Sequence, residues 1–366
     1  PADGTICGAA RVDGRPVTVC ASDFTVLAGS IGAASGAKID LALDRALVER
    51  TPFVWLVDSA GARIQERIGS AQFVGAGGRF RRQVVMSGVV PQVAAVMGPC
   101  MAGTAYVPAL CDFIVMVSGT SSMALGGARL VAAAVKETVT DYELGGPEVH
   151  CRISGVADAE AKDDAEAIEI VRRYLSYMPS HNAEAPPTGP RVDPVDRRAE
   201  AMSRIVPGNP RQAYDMHRLV AEIVDHDSFF PVKAAWARNI ITGFCRLDGA
   251  PCGIVANQPM VLGGALDVNA ADKAARFINL CDAFGIPLLF LVDVPGFLVG
   301  SVVEKQGIIR HGAKMLFAVS EATVPKVSVI LRKSYGAGYF VMNGLAYEAD
   351  YIVAWPTAEI AVMGPD

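Results

Sequence analysis

The sequence has no CxxC pair, no excess of basic charge and no unbroken apolar run of membrane-spanning length. Its eight cysteines (Cys7, Cys20, Cys100, Cys111, Cys151, Cys245, Cys252 and Cys281) sit inside apolar runs. That placement reads as core thiols in a reducing compartment, with no metal-ligand spacing and no metal expected. With 33 Lys and Arg against 38 Asp and Glu, the net charge is −5. Such a balance offers nucleic acid no electrostatic footprint. The longest apolar run, "IPLLFLVDVPGFLVG", is interrupted by Asp293, Pro295 and Gly296, so no membrane span or membrane partner is expected. No secretory signal is present, which points to the cytoplasm, or to the mitochondrial matrix if the source is eukaryotic. Pro1 is no natural initiator, so a preceding targeting segment is not excluded. The motifs GxSxG and HExxH are absent, removing support for a serine hydrolase or a zinc protease. Asp293 and Gly296 form an Asp-x-x-Gly turn, yet "GIIRHGAK" lacks the Gly-Lys-Ser/Thr ending of a P-loop, so a nucleotide switch has no support either.

What is there is a chain of 366 residues, 51% hydrophobic and 19% charged, with 36 glycines, the profile of a well-buried α/β enzyme. The length exceeds one ordinary core, which makes two domains the natural expectation. Seven of the 22 prolines fall between Pro179 and Pro210. That density breaks long helices and central strands, so 179–208 reads as a linker between domains at 1–178 and 209–366. Before it, "DDAEAIEIVRRYLSYM" carries acidic residues early and basic ones later on a helical apolar spacing, which predicts a closing helix. After it, "PRQAYDMHRLVAEIVDHDSFFPV" predicts an opening one.

The two sides repeat one another. "FVWLVDSAGARIQ" from Phe53 parallels "LLFLVDVPGFLVG" from Leu288, placing Asp58 and Asp293 at an offset of 235. "VLAGS" from Val26 and "VLGGA" from Val261 share that offset, as do Gly103 and Gly338. "VPQV" matches "VPKV", and "CDFIVMV" matches "ADYIVAW" with a short length difference. A duplication follows. Each half orders a strand, a helix, a buried strand with its Asp-x-x-Gly turn, a second helix, another strand, a Gly-rich turn and a third helix. Repeated strand-helix crossovers of this kind predict an α/β fold of layered sheets and helices.

Each half thereby offers two bare turns after buried strands: "SAGAR" with "MAGTAY", and "VPGFL" with "YGAGY". Where such turns meet, main-chain N–H groups can converge on a developing negative charge, each donor contributing about 3 kcal/mol to a transition state. Glycines also serve close helix packing, and that use stays open from the residues alone.

With these residues in view, "SAGARIQE" and "GPCMAGTAY" resemble the two oxyanion turns of the crotonase superfamily. By that resemblance the donors in the first half are the N–H groups of Ala62 and Gly103. Many hydratases of the superfamily carry an acid/base Glu three residues after the second oxyanion glycine; here Tyr106 stands there, which disfavours simple hydration. The fuller resemblance is to the carboxyltransferase β subunits of biotin-dependent acyl-CoA carboxylases, of the propionyl-CoA and methylcrotonyl-CoA type. It runs through "DFTVLAGSIG", "ELGGPEVHCRISGVAD", "YLSYMPSHNAEAPP", "IVPGNPRQAYDM", "GALDVNAADKAARFINLCDAFGIPL", "IIRHGAK" and "RKSYGAGY". It implies two tandem crotonase-like (ββα spiral) domains, a homo-hexamer arranged as a trimer of dimers, and a C-terminal domain incomplete at its end.

The resemblance further implies an acyl-CoA held by the N-terminal domain, its thioester enolate stabilised at Ala102 and Gly103. The ureido oxygen of carboxybiotin would be held at Ala337 and Gly338, with Phe297 near the paired turn. No side-chain base is required by this scheme, in keeping with the absence of a persuasive Glu or His beside the turns; His311 is expected to be structural. Arg63, Tyr106, Tyr339 and Phe340 are the expected substrate-binding residues, and Arg63, Arg79, Arg81 and Arg82 either meet CoA phosphates or face solvent. Phe340 stands where propionyl-CoA enzymes often carry Asp, which leaves the acyl group open. There is no Met-Lys-Met biotinylation site, so biotin must ride on a separate carrier and carboxylase partner. Two rivals remain from the sequence: a biotin-dependent acyl-CoA decarboxylase α subunit using the same site in reverse, and a catalytically idle scaffold. The scaffold draws on Phe340 and on the unusual wording "ERIGS" and "MALGG".

Overall fold

A computed structural model describes residues 3–66, 74–194, 196–197 and 200–364. The chain divides into two compact units, Pro1–Glu184 and Ala185–Asp366. The division falls inside the proline-rich stretch, part of which is fastened to the second unit: Gly189 N–H donates to Gly249 O at 2.8 Å and Arg246 Nη1 to Pro187 O at 2.9 Å. Of the segment "ERIGS", residues 67–70 lie outside the described residues.

The first unit opens with a hairpin, β1 (Thr5–Val12) and β2 (Arg15–Ser22). Its two-residue turn is Asp13–Gly14, both at positive φ (49° and 81°), the Asp-Gly chemistry whose twist suits a tight hairpin. Helix α1 (Ala33–Glu49) crosses to β3 (Phe53–Ser59), and α2 (Gly78–Met86) crosses to β4 (Gln92–Met101). β5 (Phe113–Val117), β6 (Ser122–Ala124) and β7 (Ala159–Ala161) follow, and α3 (Asp164–Tyr177) closes the unit. The sheet order is β1-β2-β3-β4-β5-β7, with β6 pairing β4; all neighbours except β1 and β2 are parallel. β3 and β5 are almost wholly apolar because both of their faces are covered, as parallel strands require. Phe53, Leu43, Met86 and Ile114 anchor the core between sheet and helices, while Tyr174 of α3 stacks on Phe113 at 4.7 Å.

The second unit repeats the plan after helix α4 (Met216–Ile223) and the short β8 (Phe230–Val232). β9 (Ile240–Leu247) and β10 (Ala250–Asn257) turn at Asp248–Gly249. α5 (Val268–Ala283), β11 (Leu288–Val294), α6 (Ile308–Glu321), β12 (Lys326–Tyr335) and α7 (Ala337–Val341) come next, with β13 (Tyr351–Ala354) and β14 (Glu359–Ala361) at the end. Asp267 caps α5 by accepting from Ala270 N–H. The order is β13-β12-β11-β10-β9-β8, with β14 pairing β12.

The duplication is visible down to irregularities. A register shift interrupts the β3–β4 ladder between Val57 and Ser59, and the β11–β12 ladder between Val292 and Val294. Isolated bridges join Ile31 to Ala62 and Leu266 to Phe297. Each of these pairs of positions keeps the 235-residue offset. β4 and β12, however, are related by 234. The left-handed residue that ends each strand is Ala102 (φ 57°) in one unit and Gly336 (φ 54°) in the other. Gly103 therefore corresponds to Ala337, and the 235-residue match of Gly103 with Gly338 is one position out of register.

Candidate active site

In each unit the first turn leaves its strand and is pinned by a single bridge. Ile31 N–H donates to Gly61 O at 2.9 Å, and Arg63 N–H donates to Ile31 O at 3.0 Å. In extended backbone, alternate amides point to opposite sides. The Ala62 N–H between these two bonds therefore faces away from Ile31, and it makes no hydrogen bond among the described residues. The second unit repeats this: Leu266 N–H donates to Gly296 O at 3.0 Å and Leu298 N–H to Leu266 O at 2.8 Å, leaving the Phe297 N–H without a partner among the described residues.

The second turn in each unit opens a short helix, whose first amides have no acceptor within the helix. Gly103 lies in the 3-10 turn Ala102–Ala105, and Ala337 and Gly338 start α7. None of these three N–H groups makes a hydrogen bond among the described residues.

The turns of a pair abut. A Cβ on Gly61 would stand 3.0 Å from Met101 O and 3.6 Å from Ala102 Cβ. A Cβ on Gly338 would stand 3.0 Å from the methyls of Val294 and 3.1 Å from the Gly296 Cα. Gly61, at φ 107° and against the Met101 carbonyl, needs to be glycine, and a side chain at Gly338 would crowd Val294 and Gly296.

In the first unit the paired turns border a cavity of 580 Å³, a size suited to a small organic ligand. Ala62, Ala102, Gly103 and Thr104 form one side, and Ile31, Ile64, Val74, Phe80 and Val107 supply an apolar remainder. Arg79 is the one ionisable residue among those described as lining it. Sequence reasoning missed Phe80, whose ring tip would lie 3.8 Å from a Cβ on Gly103. Its place on α2, one turn before the buried Gln83 and on the same helical face, was the available signal.

The arginines divide. Arg63 is 10% exposed, and its guanidinium is engaged by Asp3 at 2.6 Å, Glu66 at 2.7 Å and Ser30 O at 2.9 Å. Those bonds hold Asp3 and Glu66 below the usual carboxylate range; the backbone N–H of Ala33 contributes most at Glu66. Arg63 thus fastens the first turn to its own unit, and it neither faces solvent nor presents an open cation to a phosphate. Arg79 lies 3.5 Å from Asp40, and Arg82 lies 2.8 Å from Asp44. Arg81 is exposed and makes no ion pair among the described residues.

Tyr106 is 48% exposed, its ring edge-on to Phe80 at 5.8 Å, and it does not line the cavity. In the second unit the Tyr339 Oη accepts from Leu345 N–H at 3.0 Å. The exposed Phe340 lies between Tyr339 (5.7 Å) and Tyr347 (6.1 Å). The Phe297 ring packs on α6, 3.3 Å from where Gly312 would carry a Cβ. His311 is hydrogen-bonded to Asp272 at 2.8 Å, a partner that fixes it in place. Among the described residues no group of three or more His, Cys, Asp or Glu could hold a metal ion, and no helix is long and apolar enough to cross a membrane.

The carboxyl transferase domain model matches residues 1–366. The propionyl-CoA carboxylase carboxyltransferase subunit of Haloferax mediterranei is 50% identical over 365 residues, covering 100% of this chain and 70% of that protein. The methylmalonyl-CoA decarboxylase subunit alpha of Propionigenium modestum is 46% identical over 365 residues, again covering 100% of this chain and 70% of the relative. The crystal structure of transcarboxylase 12S, a hexamer with methylmalonyl-coenzyme A and methylmalonic acid bound, superposes with a TM-score of 0.96 at 46% identity, covering 100% of this chain and 70% of that one. The fold is accordingly that of tandem crotonase-like domains related by duplication. With abutting pairs of bare turns in both units and a family match along its whole length, the chain belongs to the carboxyltransferases of the biotin-dependent acyl-CoA carboxylase and transcarboxylase family.

Proposed function

We propose that the chain transfers a carboxyl group from carboxybiotin on a separate carrier protein to the α (or vinylogous) carbon of an acyl-CoA. The observation that carries this reading is the pair of abutting turns in each unit with main-chain amides left unbonded, one pair of which borders an apolar cavity. The acyl-CoA belongs to the first unit. There the Ala62 and Gly103 amides hold the thioester oxygen as charge develops on it, each such donor contributing about 3 kcal/mol because it is fixed in advance. The apolar walls exclude water from the enolate.

The second unit takes the biotin side. Its unbonded Phe297, Ala337 and Gly338 amides suit the ureido oxygen of biotin, a carbonyl on which negative charge develops. Carboxybiotin supplies the carboxyl group as carbon dioxide and the base for the α proton. The protein residues orient, polarise and shield; no titratable side chain is asked to move a proton, in keeping with a cavity whose described lining has Arg79 as its only ionisable group. The carrier and carboxylase are separate chains, the assembly is a homo-hexamer like the 12S relative, and the names of the relatives favour a short acyl group.

The decarboxylase relative favours a second reading, in which the same site runs in reverse. Incubating the chain with free carboxybiotin and a panel of acyl-CoAs separates the readings. Carboxylated thioester supports transfer, and carbon dioxide release from a malonyl-type thioester supports decarboxylation. Neither product, with acyl-CoA still bound, would leave an idle scaffold.

A further inference from the structure

Outside the candidate site, the thiols of Cys7 and Cys20 face each other across the first hairpin with their Sγ atoms 3.2 Å apart. The turn chemistry sets this up. A two-residue Asp13–Gly14 loop makes Val12 and Arg15 a hydrogen-bonded pair, and the pairs then alternate along the ladder. Cys7 and Cys20, five steps on, form a non-hydrogen-bonded pair; the far end agrees, since Asp23 N–H donates to Gly4 O at 2.9 Å, as a hydrogen-bonded pair should. At non-hydrogen-bonded pairs the Cα atoms stand about 4.5 Å apart and the side chains lean together, within the span that a disulfide bridges. Cys7 is half-buried on the edge strand of its sheet, whereas Cys20 is buried.

The second unit supplies an internal control. Cys245 and Cys252 are also directly opposite, as a hydrogen-bonded pair whose Cα atoms lie about 5.5 Å apart and so also within a disulfide's span; exposure is what separates the two pairs. Both are buried.

We propose that Cys7 and Cys20 are an oxidation site that a hydroperoxide converts into a cross-strand disulfide. The Cys7 sulfur attacks one peroxide oxygen; an S–O bond forms, the O–O bond breaks, and the leaving hydroxide takes the thiol proton as water. The Cys20 sulfur then attacks the Cys7 sulfenic acid; the S–S bond forms, the S–O bond breaks, and a second water leaves with the Cys20 proton. Two thiols and one peroxide become one disulfide and two waters. The order of events follows from the thiols: hydrogen bonding with Cys20, aided by Lys38 and Arg79, holds the Cys7 thiol below its ordinary value, while the same pairing and burial hold Cys20 above. The Cys245 thiol is pushed up by its pairing with Cys252 and by burial.

The test is to treat the whole chain with hydrogen peroxide and map the products by non-reducing peptide mass spectrometry. The chain is expected to lose two of its eight free thiols as one Cys7–Cys20 peptide pair, at least about tenfold faster than Cys245 or Cys252 reacts, and to recover both with dithiothreitol. In C20S, Cys7 should stop at a sulfenic acid that dimedone traps. In C7S, which changes only a half-buried residue, Cys20 should stay reduced. Oxidation of Cys7 to sulfinic acid in the wild type with Cys20 still a thiol, first reaction at any other cysteine, or no loss of thiols would each overturn the proposal.

Discussion

Asp293 and Arg332 form a buried ion pair: the Asp293 carboxylate lies 3.0 Å from both Nε and Nη2 of Arg332, with side-chain exposures of 0% and 4%. The pair ties the end of β11 to β12 just below the two turns of the second unit, and the other carboxylate oxygen accepts from Lys333 N–H. Arg332 also donates to Asn209 O and Gln212 O and lies over the Tyr214 ring at 4.9 Å. Through the duplication, Asp293 corresponds to Asp58 and Arg332 to Gly98. The first copy thus has the acid without the base, and a Cβ on Gly98 would stand 2.1 Å from the Asp58 Oδ1.

Removing one member of a buried pair strands the other charge. Arg332→Met is expected to lower stability by about 3–5 kcal/mol in urea denaturation, and Asp293→Asn combined with it by less than the sum of the two single changes. A loss under about 1 kcal/mol for Arg332→Met would show that the pair does not hold β11 to β12.

Asp58 should have the opposite pH signature to an ion-paired acid. Burial, with Asp164 adding repulsion, raises its carboxyl above the ordinary 3.8. The folded chain then holds this proton to higher pH than the unfolded one. Its contribution is therefore fully present below the unfolded value and is lost as pH rises through the folded one. Asp58→Asn removes that loss, so the stability of the variant relative to wild type should rise as pH climbs above about 4 and level off once the folded value is passed. A difference that stays flat or falls across this window would mean that Asp58 is not strained in its charged form.

Ala102 carries its left-handed backbone (φ 57°) at the cost that any Cβ incurs there. Ala102→Gly should stabilise the chain by about 0.5–1 kcal/mol. Destabilisation on thermal melting would mean that packing of the methyl group outweighs the strain.

The α/β layering, the duplication and the four bare turns were legible because each rests on local sequence: apolar strands, repeated words and glycine after a strand. The hairpins β1–β2 and β9–β10 were only half legible. The single opening strand that the pattern gives each half stands for two, although the Asp13–Gly14 and Asp248–Gly249 turns carry the strong Asp-Gly hairpin signal. The role of Arg63 was not legible, because its partner Asp3 lies 60 residues away. Gly103 and Gly338 are identical letters at an offset of 235, but the strands before them end at Met101 and Tyr335, an offset of 234, so only the structure shows that Gly103 corresponds to Ala337.

The most direct measurement on the central claim is the Gly338→Val chain, assayed for carboxyl transfer from free carboxybiotin and titrated with acyl-CoA in parallel. The added side chain meets Val294 and Gly296 across the paired turn in the second unit. Transfer should fall by about 10²–10³-fold, with acyl-CoA affinity held within about twofold because that ligand belongs to the first unit. Equal loss of transfer and of acyl-CoA binding, or transfer that survives intact, would contradict a division of labour between two sets of main-chain amides.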